Sequence, residues 1–357
     1  MRRVVIFHGY PGHGAGAERV LEYLLQGAVH RRDEICLLAP ASATVSRVAK
    51  DLGYSCFEWR SCKDALPQNS RAFLRTAARH RSPLGDIVHA WHSRGLEWAW
   101  LLGRRWNIPG SGTLHDDPEH TAFGTARKWI VRTTARHLDG MAVVSDGLKR
   151  RCEELGWSRE LTVLRNGLPD ALKPIRTRDK MLRIGFMAVS SMWKGIGMLP
   201  DLIERTKDLP LHWNLFGLRS SETAPVLDAL SQHQRVTYSG VVPLIEALPR
   251  MDILLHLSLA LDPYPTVLLE AARAGLPAIA TNTGGSPEIV VHEKTGLLVP
   301  PGDLEAVESA IRRLVTCPET RKELGAAARS RFEQQFRVER MVADYFAFWD
   351  GLRSARR

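Results

Sequence analysis

The sequence predicts an α/β fold built from two doubly wound parallel sheets in tandem, and three observations carry that reading. Short apolar runs bounded by Gly, Pro or Asp alternate with amphipathic helical stretches from end to end, the pattern of repeated βα units. The alternation breaks once, in the polar, proline-containing stretch 166–180, and restarts behind it. The chain has 357 residues, enough for a domain of ordinary size on each side of the break.

Before the break, apolar runs at 3–7, 34–39, 86–90, 111–115, 141–145 and 161–164 read as strands, with helices between them. After it, the runs Leu182–Met187, His212–Gly217, Val236–Ser239, Asp252–Leu257, Pro277–Thr281 and Gly296–Val299 repeat the alternation. Continuous apolar runs suit strands covered on both faces, as parallel sheets require. The expected domains are 1–172 and 173–357, with the C-terminal helix 338–357 able to return to the first. Ligands of such sheets bind beyond the carboxyl ends of the strands, so chemistry is sought there.

Composition is that of a globular protein, 44% apolar and 25% charged, which excludes disordered and fibrous classes. Charge is the unusual quantity. Lys and Arg number 49 against 39 acidic residues, a net +10, and 25 of the basic against 18 of the acidic residues lie in the first 172. The excess calls for an anionic partner. Five cysteines (Cys36, Cys56, Cys62, Cys152, Cys317) without a C-x-x-C pair fit a reducing compartment. Four apolar residues between Arg3 and His8 are too few for a signal peptide, and no run approaches the ~18–20 that span a bilayer. The expected location is cytoplasmic, with peripheral contact to the inner membrane face left open.

Two segments carry chemistry. The first strand leads into Gly9–Glu18 and then a helix, Arg19–Gly27. Glycines there let backbone approach a ligand, and the helix start offers N–H groups to an anion. Gly12, Gly14 and Ala17 also fit the dinucleotide fingerprint, but the second strand ends in Ala39-Pro40, without the carboxylate that would hold a ribose. His8 and His13 have no partner at metal-ligand spacing. The second segment runs from Asp262 through Pro265, Thr266, Glu270, Gly275 and Pro277 to Thr283-Gly284-Gly285-Ser286-Pro287-Glu288. Pro265 suits a first helical turn, where Thr266 to Leu269 supply unpaired N–H groups. An anion seated there has one carboxylate on each side, Asp262 before the helix and Glu270 one turn inside it.

On these residues the chain resembles glycosyltransferase family 4, whose members carry E-x7-E, A-x-A-x-G-x-P and G-G-x-P-E. Asp262 stands in place of the first Glu at the same spacing. Matches continue through Gly14-Ala15-Gly16-Ala17-Glu18, Asp86 to His92, Thr113-Leu-His115-Asp116, Val144-Ser145, Asn166-Gly167, Trp193-Lys194-Gly195 and Gly296 to Asp303. The resemblance implies the GT-B fold, two Rossmann-like domains facing across a cleft, with acceptor on the N-terminal domain and nucleotide sugar on the C-terminal one. It implies a retaining hexosyl transfer from a UDP- or GDP-hexose to a glycan or lipid-linked acceptor in polysaccharide or glycoconjugate synthesis.

Residue by residue, the resemblance assigns the ribose to Glu270, donor sugar hydroxyls to Asp262 and His115, and the diphosphate to Lys194. Gly14, Gly16, Gly217, Val242, Tyr264, Thr266 and Val267 complete the donor site. The family's Arg, five residues before the Lys, is Val189 here, and Asp262 is one methylene short. The leaving diphosphate needs preorganised donors and a cation, and no D-x-D run is present to hold a metal. The reaction is therefore expected to need neither metal nor cofactor, with attack from the leaving-group side and no protein nucleophile.

The basic triplets Arg71, Arg75, Arg79 and Lys128, Arg132, Arg136 stripe two N-domain helices, the second bordered by Trp129 and Ile130. They read either as solvated faces or as contacts to an anionic membrane. Nucleic acid is not expected, since no recognition motif is present. An epimerase or hydrolase of the same fold, and a non-catalytic sugar-nucleotide-binding subunit, remain open alternatives.

Overall fold

A computed structural model describes residues 3–9, 16–59, 83–120, 124–170, 181–188 and 190–355. The chain divides into two compact units, Met1–Pro169 with Arg337–Arg357, and Asp170–Phe336.

In the first unit β1 (Val4–Phe7), β2 (Ile35–Pro40), β3 (Ser55–Trp59), β4 (Ile87–Ala90), β5 (Gly110–Leu114), β6 (Gly140–Val143) and β7 (Thr162–Val163) form one sheet in the order β3-β2-β1-β4-β5-β6-β7. Neighbouring strands run parallel; β1, for example, sets Val5 against Cys36 on one side and Val88 on the other. The order reverses between β1 and β4, which opens a crevice at their carboxyl ends. Helices α1 (Gly16–Gly27), α2 (Thr44–Asp51), α3 (Leu96–Trp106), α4 (Thr125–His137) and α5 (Asp146–Glu154) lie between the strands. All residues of β1, β2 and β4 are buried, which accounts for their unbroken apolar runs.

The second unit repeats the plan. Its strands β8 (Leu182–Phe186), β9 (Leu211–Leu215), β10 (Val236–Tyr238), β11 (Ile253–His256), β12 (Ala278–Thr281) and β13 (Gly296–Val299) run parallel in the order β10-β9-β8-β11-β12-β13. The reversal falls between β8 and β11, where Ile184 pairs with Ile253 and Phe186 with Leu255. Its helices are α6 (Leu199–Arg205), α7 (Ala224–Ser231), α8 (Leu244–Ala247), α9 (Thr266–Arg273), α10 (Ser286–Ile289), α11 (Leu304–Thr316) and α12 (Pro318–Gln335).

The last helix, α13 (Val338–Ala355), belongs to the first unit. Val338, Met341, Val342, Tyr345, Phe346 and Trp349 recur at helical spacing and are all buried. Tyr345 stacks on Trp91 at 5.2 Å between ring centroids, and Trp349 meets the His89 ring edge-on at 5.5 Å. Arg353 makes a two-pronged contact to Asp86, at 3.1 and 2.8 Å. The entry to α13 is tied to the end of the sheet by the Leu168–Arg337 bridge and by Arg340, which donates to the carbonyls of Arg165 and Asn166 at 2.8 and 3.0 Å.

Each expected strand run is present, with ends that differ by at most two residues. One further strand carries no sequence expectation. Ser55–Trp59 mixes polar and apolar residues, lies at the edge of its sheet and is mostly half-exposed, so it lacks the apolar run that marks an inner strand. The first helix starts at Gly16, three residues earlier than expected. Within the expected linker, residues 171–180 lie outside the described residues, as does the basic triplet Arg71, Arg75 and Arg79. Among the described residues, no helix is long and apolar enough to cross a membrane.

His89 on β4 shows what burial costs a titratable group. Its ring nitrogens pair with Ser111 Oγ at 2.9 Å and Thr113 Oγ1 at 3.1 Å, and burial pushes its pKa down to about 3 from 6.5. The unfolded chain therefore binds a proton that the folded chain refuses. Stability is full above the unfolded pKa and drains as pH falls toward the folded one, by about 2 kcal/mol at pH 5 from this group. Urea denaturation of the wild type should show falling midpoints from pH 7.5 to 5, and His89→Gln should flatten that slope. An unchanged slope in the variant would remove His89 as its source.

Candidate active site

Two loops meet at the carboxyl ends of β8 and β11, beside the strand reversal of the second unit. The loop after β8 forms two short 3-10 turns, Met192–Lys194 and Ile196–Met198, joined by Gly195 at φ +88°. A Cβ at position 195 would lie 2.3 Å from the Leu257 carbonyl oxygen, so only glycine lets this turn rest on the residue following β11. The Trp193 carbonyl accepts the Leu259 N–H at 2.8 Å. Lys194 is thereby delivered to Asp262, with which it forms an ion pair, and its ammonium sits 4.0 Å over the Trp193 ring.

The Asp262 loop is clasped from its other side by the turn after β12. Gly284, at φ +56°, has no room for a side chain, because a Cβ there would meet the Asp262 carbonyl oxygen at 2.0 Å. The next residue, Gly285, donates its N–H to that same oxygen at 2.9 Å. Asp262 is 6% exposed. His256 Nε2 lies 3.2 Å from its Oδ2, Ser258 Oγ donates to the same oxygen at 3.3 Å, and Lys194 joins them there. Oδ1 carries no such contact among the described residues.

Burial by itself would raise the Asp262 pKa, but the Lys194 ammonium and then His256 overcome it and hold the carboxyl well below the usual carboxylate range. The buried His256 is pushed the other way, downward by desolvation, with Asp262 opposing the shift. The charged members of the cluster are thus Lys194 and Asp262, an ion pair with one carboxylate oxygen to spare.

Helix α9 follows at once. Pro265 occupies its N-cap position rather than its first turn, and the N–H groups of Thr266 and Val267 have no intrahelical acceptor. Glu270, 2% exposed, pairs with Arg273 on the next turn, itself 4% exposed. The Arg273 carbonyl accepts from Arg329, which grips Asp170 through two contacts at 2.6 and 2.7 Å. Tyr264 is buried where the Gly285 turn crosses it.

Gly217 and Val242 follow β9 and β10. The Gly217 N–H donates to the Gly240 carbonyl at 2.8 Å, and its carbonyl accepts from Tyr238 Oη at 2.9 Å. Both backbone groups of Gly217 are thus engaged within the unit, which leaves the second lone pair of its carbonyl. Gly14 and Val189 lie outside the described residues, while Gly16 is the exposed first residue of α1.

His115 lies in the first unit, directly after β5. Its ring packs on Trp91 at 4.9 Å, and burial, then the neighbouring His8, pushes its pKa down to about 3. His8 Nε2 lies 3.1 Å from Glu18 Oε1, and the His8 ring meets His92 edge-on at 5.1 Å. Sequence reasoning passes over Glu18, His92, His256 and Arg273 as site residues. A signal for the histidines exists: His8, His92 and His256 each close or follow an apolar strand at its carboxyl end.

The family model described as Glycosyltransferase Family 4 matches residues 14–172, and that described as Glycosyl transferases group 1 matches residues 184–331. The chain belongs to glycosyltransferase family 4. Its two parallel-sheet units are those of the GT-B class, and a crystal structure of the Anabaena protein HepE in complex with UDP-glucose has the same fold, with a TM-score of 0.83 over 99% of each chain at 18% identity. The lipopolysaccharide core biosynthesis glycosyltransferase LpsD of Rhizobium meliloti is 23% identical over 97% of this chain and 98% of its own. N-acetyl-alpha-D-glucosaminyl L-malate synthase of Bacillus anthracis is 37% identical over 109 residues, a segment that covers 28% of that relative.

For this glycosyltransferase, the cluster makes a stability prediction independent of turnover. Lys194→Met leaves Asp262 buried without its cation. The loss should be about 2–3 kcal/mol, less than the ~3–5 kcal/mol of a fully buried pair, because the Lys194 side chain keeps 22% of its surface in water. In urea denaturation, the double variant Lys194→Met/Asp262→Asn should recover part of that loss. A single variant as stable as wild type would show that the pair contributes nothing to folding.

Proposed function

We propose that the protein is a retaining hexosyltransferase that moves a hexosyl unit from a nucleoside-diphosphate sugar to a glycan or lipid-linked acceptor in cell-surface polysaccharide or glycoconjugate synthesis. One observation carries this reading: a lysine held by a dry carboxylate beside the free N-terminal amides of α9, with Glu270 a turn further in. A cation and two N–H groups suit a diphosphate, and the flanking carboxylates suit hydroxyl-rich groups. Glu270 would take the ribose, and Asp262 Oδ1, the oxygen without a contact, a donor sugar hydroxyl.

Departure of the diphosphate builds negative charge on its oxygens. Lys194 and the amides of Thr266 and Val267 are fixed before the reaction begins, and one such donor is typically worth about 10²–10³ in rate. The acceptor hydroxyl attacks from the leaving-group side and passes its proton to a diphosphate oxygen, so the protein supplies no nucleophile and the anomeric configuration is kept. His115, neutral at physiological pH, offers a sugar hydroxyl an uncharged partner. The countercharge a metal would provide falls to Lys194, and the reaction is metal-independent in this reading. The Anabaena likeness, solved with UDP-glucose, favours a UDP-sugar as donor.

UDP should raise the thermal midpoint measurably and GDP should not, since a ligand that binds only the folded state stabilises it by mass action. With UDP-hexoses and candidate acceptors, mass spectrometry should detect an acceptor-dependent product. Lys194→Ala and Glu270→Ala should each lower turnover at least tenfold, the lower end of the loss expected when a hydrogen bond to a charged group, about 1.5–3 kcal/mol, is removed. EDTA should leave the rate unchanged. Release of free sugar without acceptor dependence would instead favour a hydrolase, and wild-type rates in both variants would sink the site assignment.

A further inference from the structure

We propose that the outer face of the α3–α4 helix pair is a docking surface for an anionic lipid bilayer. The inference goes beyond the transfer reaction and does not depend on which donor is used.

Helices α3 and α4 pack side by side in the first unit. Their relative position is set by the Arg127–Glu97 ion pair at 2.6 Å near the N-terminal ends and by the rings of Trp100, mid-way along α3, and His137, at the C-terminal end of α4, 5.8 Å apart. Residues 125, 129, 132 and 136 follow helical spacing along one side of α4, and all four are exposed. Trp129 is 67% exposed, and Leu101 on α3 is 43% exposed. A tryptophan left this open in a folded unit forgoes a large burial gain.

The charges on the pair divide into two sets. Arg127 and Lys128 turn to carboxylates, Glu97 at 2.6 Å and Glu119 at 3.1 Å. Arg104, Arg105, Arg132 and Arg136 are exposed and form no ion pair among the described residues. Helix α4 contains no acidic residue, and the single one on α3, Glu97, is already committed. Between the helices lies a small polar cleft of about 60 Å³ lined by Trp100, Arg104, His137 and Asp139, and the Asp139 carboxylate is engaged by the Gly110 N–H at 2.8 Å.

An exposed indole with unpaired guanidinium groups on one helical face matches a bilayer interface, where tryptophan sits at headgroup depth and arginines meet phosphate. A soluble polyanion would answer the charges and leave the indole unexplained. The expected stripe of Lys128, Arg132 and Arg136 is thus redrawn: Lys128 turns to Glu119, while Arg132 and Arg136 keep Trp129 beside them on the exposed side of α4, and Arg104 and Arg105 add unpaired charge on α3.

Co-sedimentation of the full chain with phosphatidylcholine vesicles, with and without phosphatidylglycerol, tests the proposal. The wild type should bind the anionic vesicles, release them as salt rises, and ignore the neutral ones. Arg132→Glu/Arg136→Glu should weaken binding at least tenfold, given about fivefold per charge near such a surface, and Trp129→Ala should weaken it several-fold. Both variants should keep the wild-type circular dichroism and the wild-type thermal response to UDP and GDP. Equal binding to both vesicle types would overturn the proposal. So would wild-type vesicle binding by the charge-reversed variant, which would put the contact elsewhere on the chain. Loss of binding with Arg132→Glu/Arg136→Glu but none with Trp129→Ala would point to a soluble polyanion instead. Neither failure bears on the donor site, which is read separately by the nucleotide response.

Discussion

A carboxylate kept almost dry must be matched by a cation, and that requirement organises the second unit. Removing one partner of a buried ion pair costs about 3–5 kcal/mol, against total stabilities of about 5–15 kcal/mol. Asp262 is matched by Lys194, and Glu270 by Arg273, and the first pair forms where close backbone contacts bring two loops together. Gly195 brings the lysine turn onto Leu257, and Gly284 brings the following turn onto the Asp262 carbonyl. The two glycines are required by atoms that are not their own. The result is a charged pair with one open carboxylate oxygen in the loop that leads into α9.

The first unit meets the same problem at its strand ends with neutral groups. His89, His92 and His115 are pushed well below the ordinary imidazole range by burial, so each is an uncharged donor and acceptor at physiological pH. Their hydroxyl and aromatic neighbours include Tyr345 and Trp349 of α13, which makes the last helix of the chain part of the environment of β4.

The net charge also separates into distinct uses. Lys194 is held inside a cluster, most surface arginines of the second unit are spent on local carboxylates such as Asp208, Asp228 and Glu308, and a few arginines on α3 and α4 face outward without such partners. The excess of +10 is therefore not a uniform field; its uncommitted part includes one helical face of the first unit.

Much of the architecture is legible in the amino-acid sequence. Parallel strands buried on both faces leave unbroken apolar runs, so two sheets and the break between them can be counted from the residues, and β3 escapes because an edge strand bears no such run. The spacing of Asp262, Pro265, Thr266 and Glu270 is local, and a local helix start is readable from its residues. What tertiary structure alone decided is which distant groups share one oxygen or one ring. Lys194 reaches Asp262 only because β8 and β11 are neighbours at the sheet reversal, Gly284 because β12 lies beside β11, and Tyr345 reaches Thr113 across 232 residues of chain. Periodicity records which face of an element is dry; it carries no record of the partner on the other side.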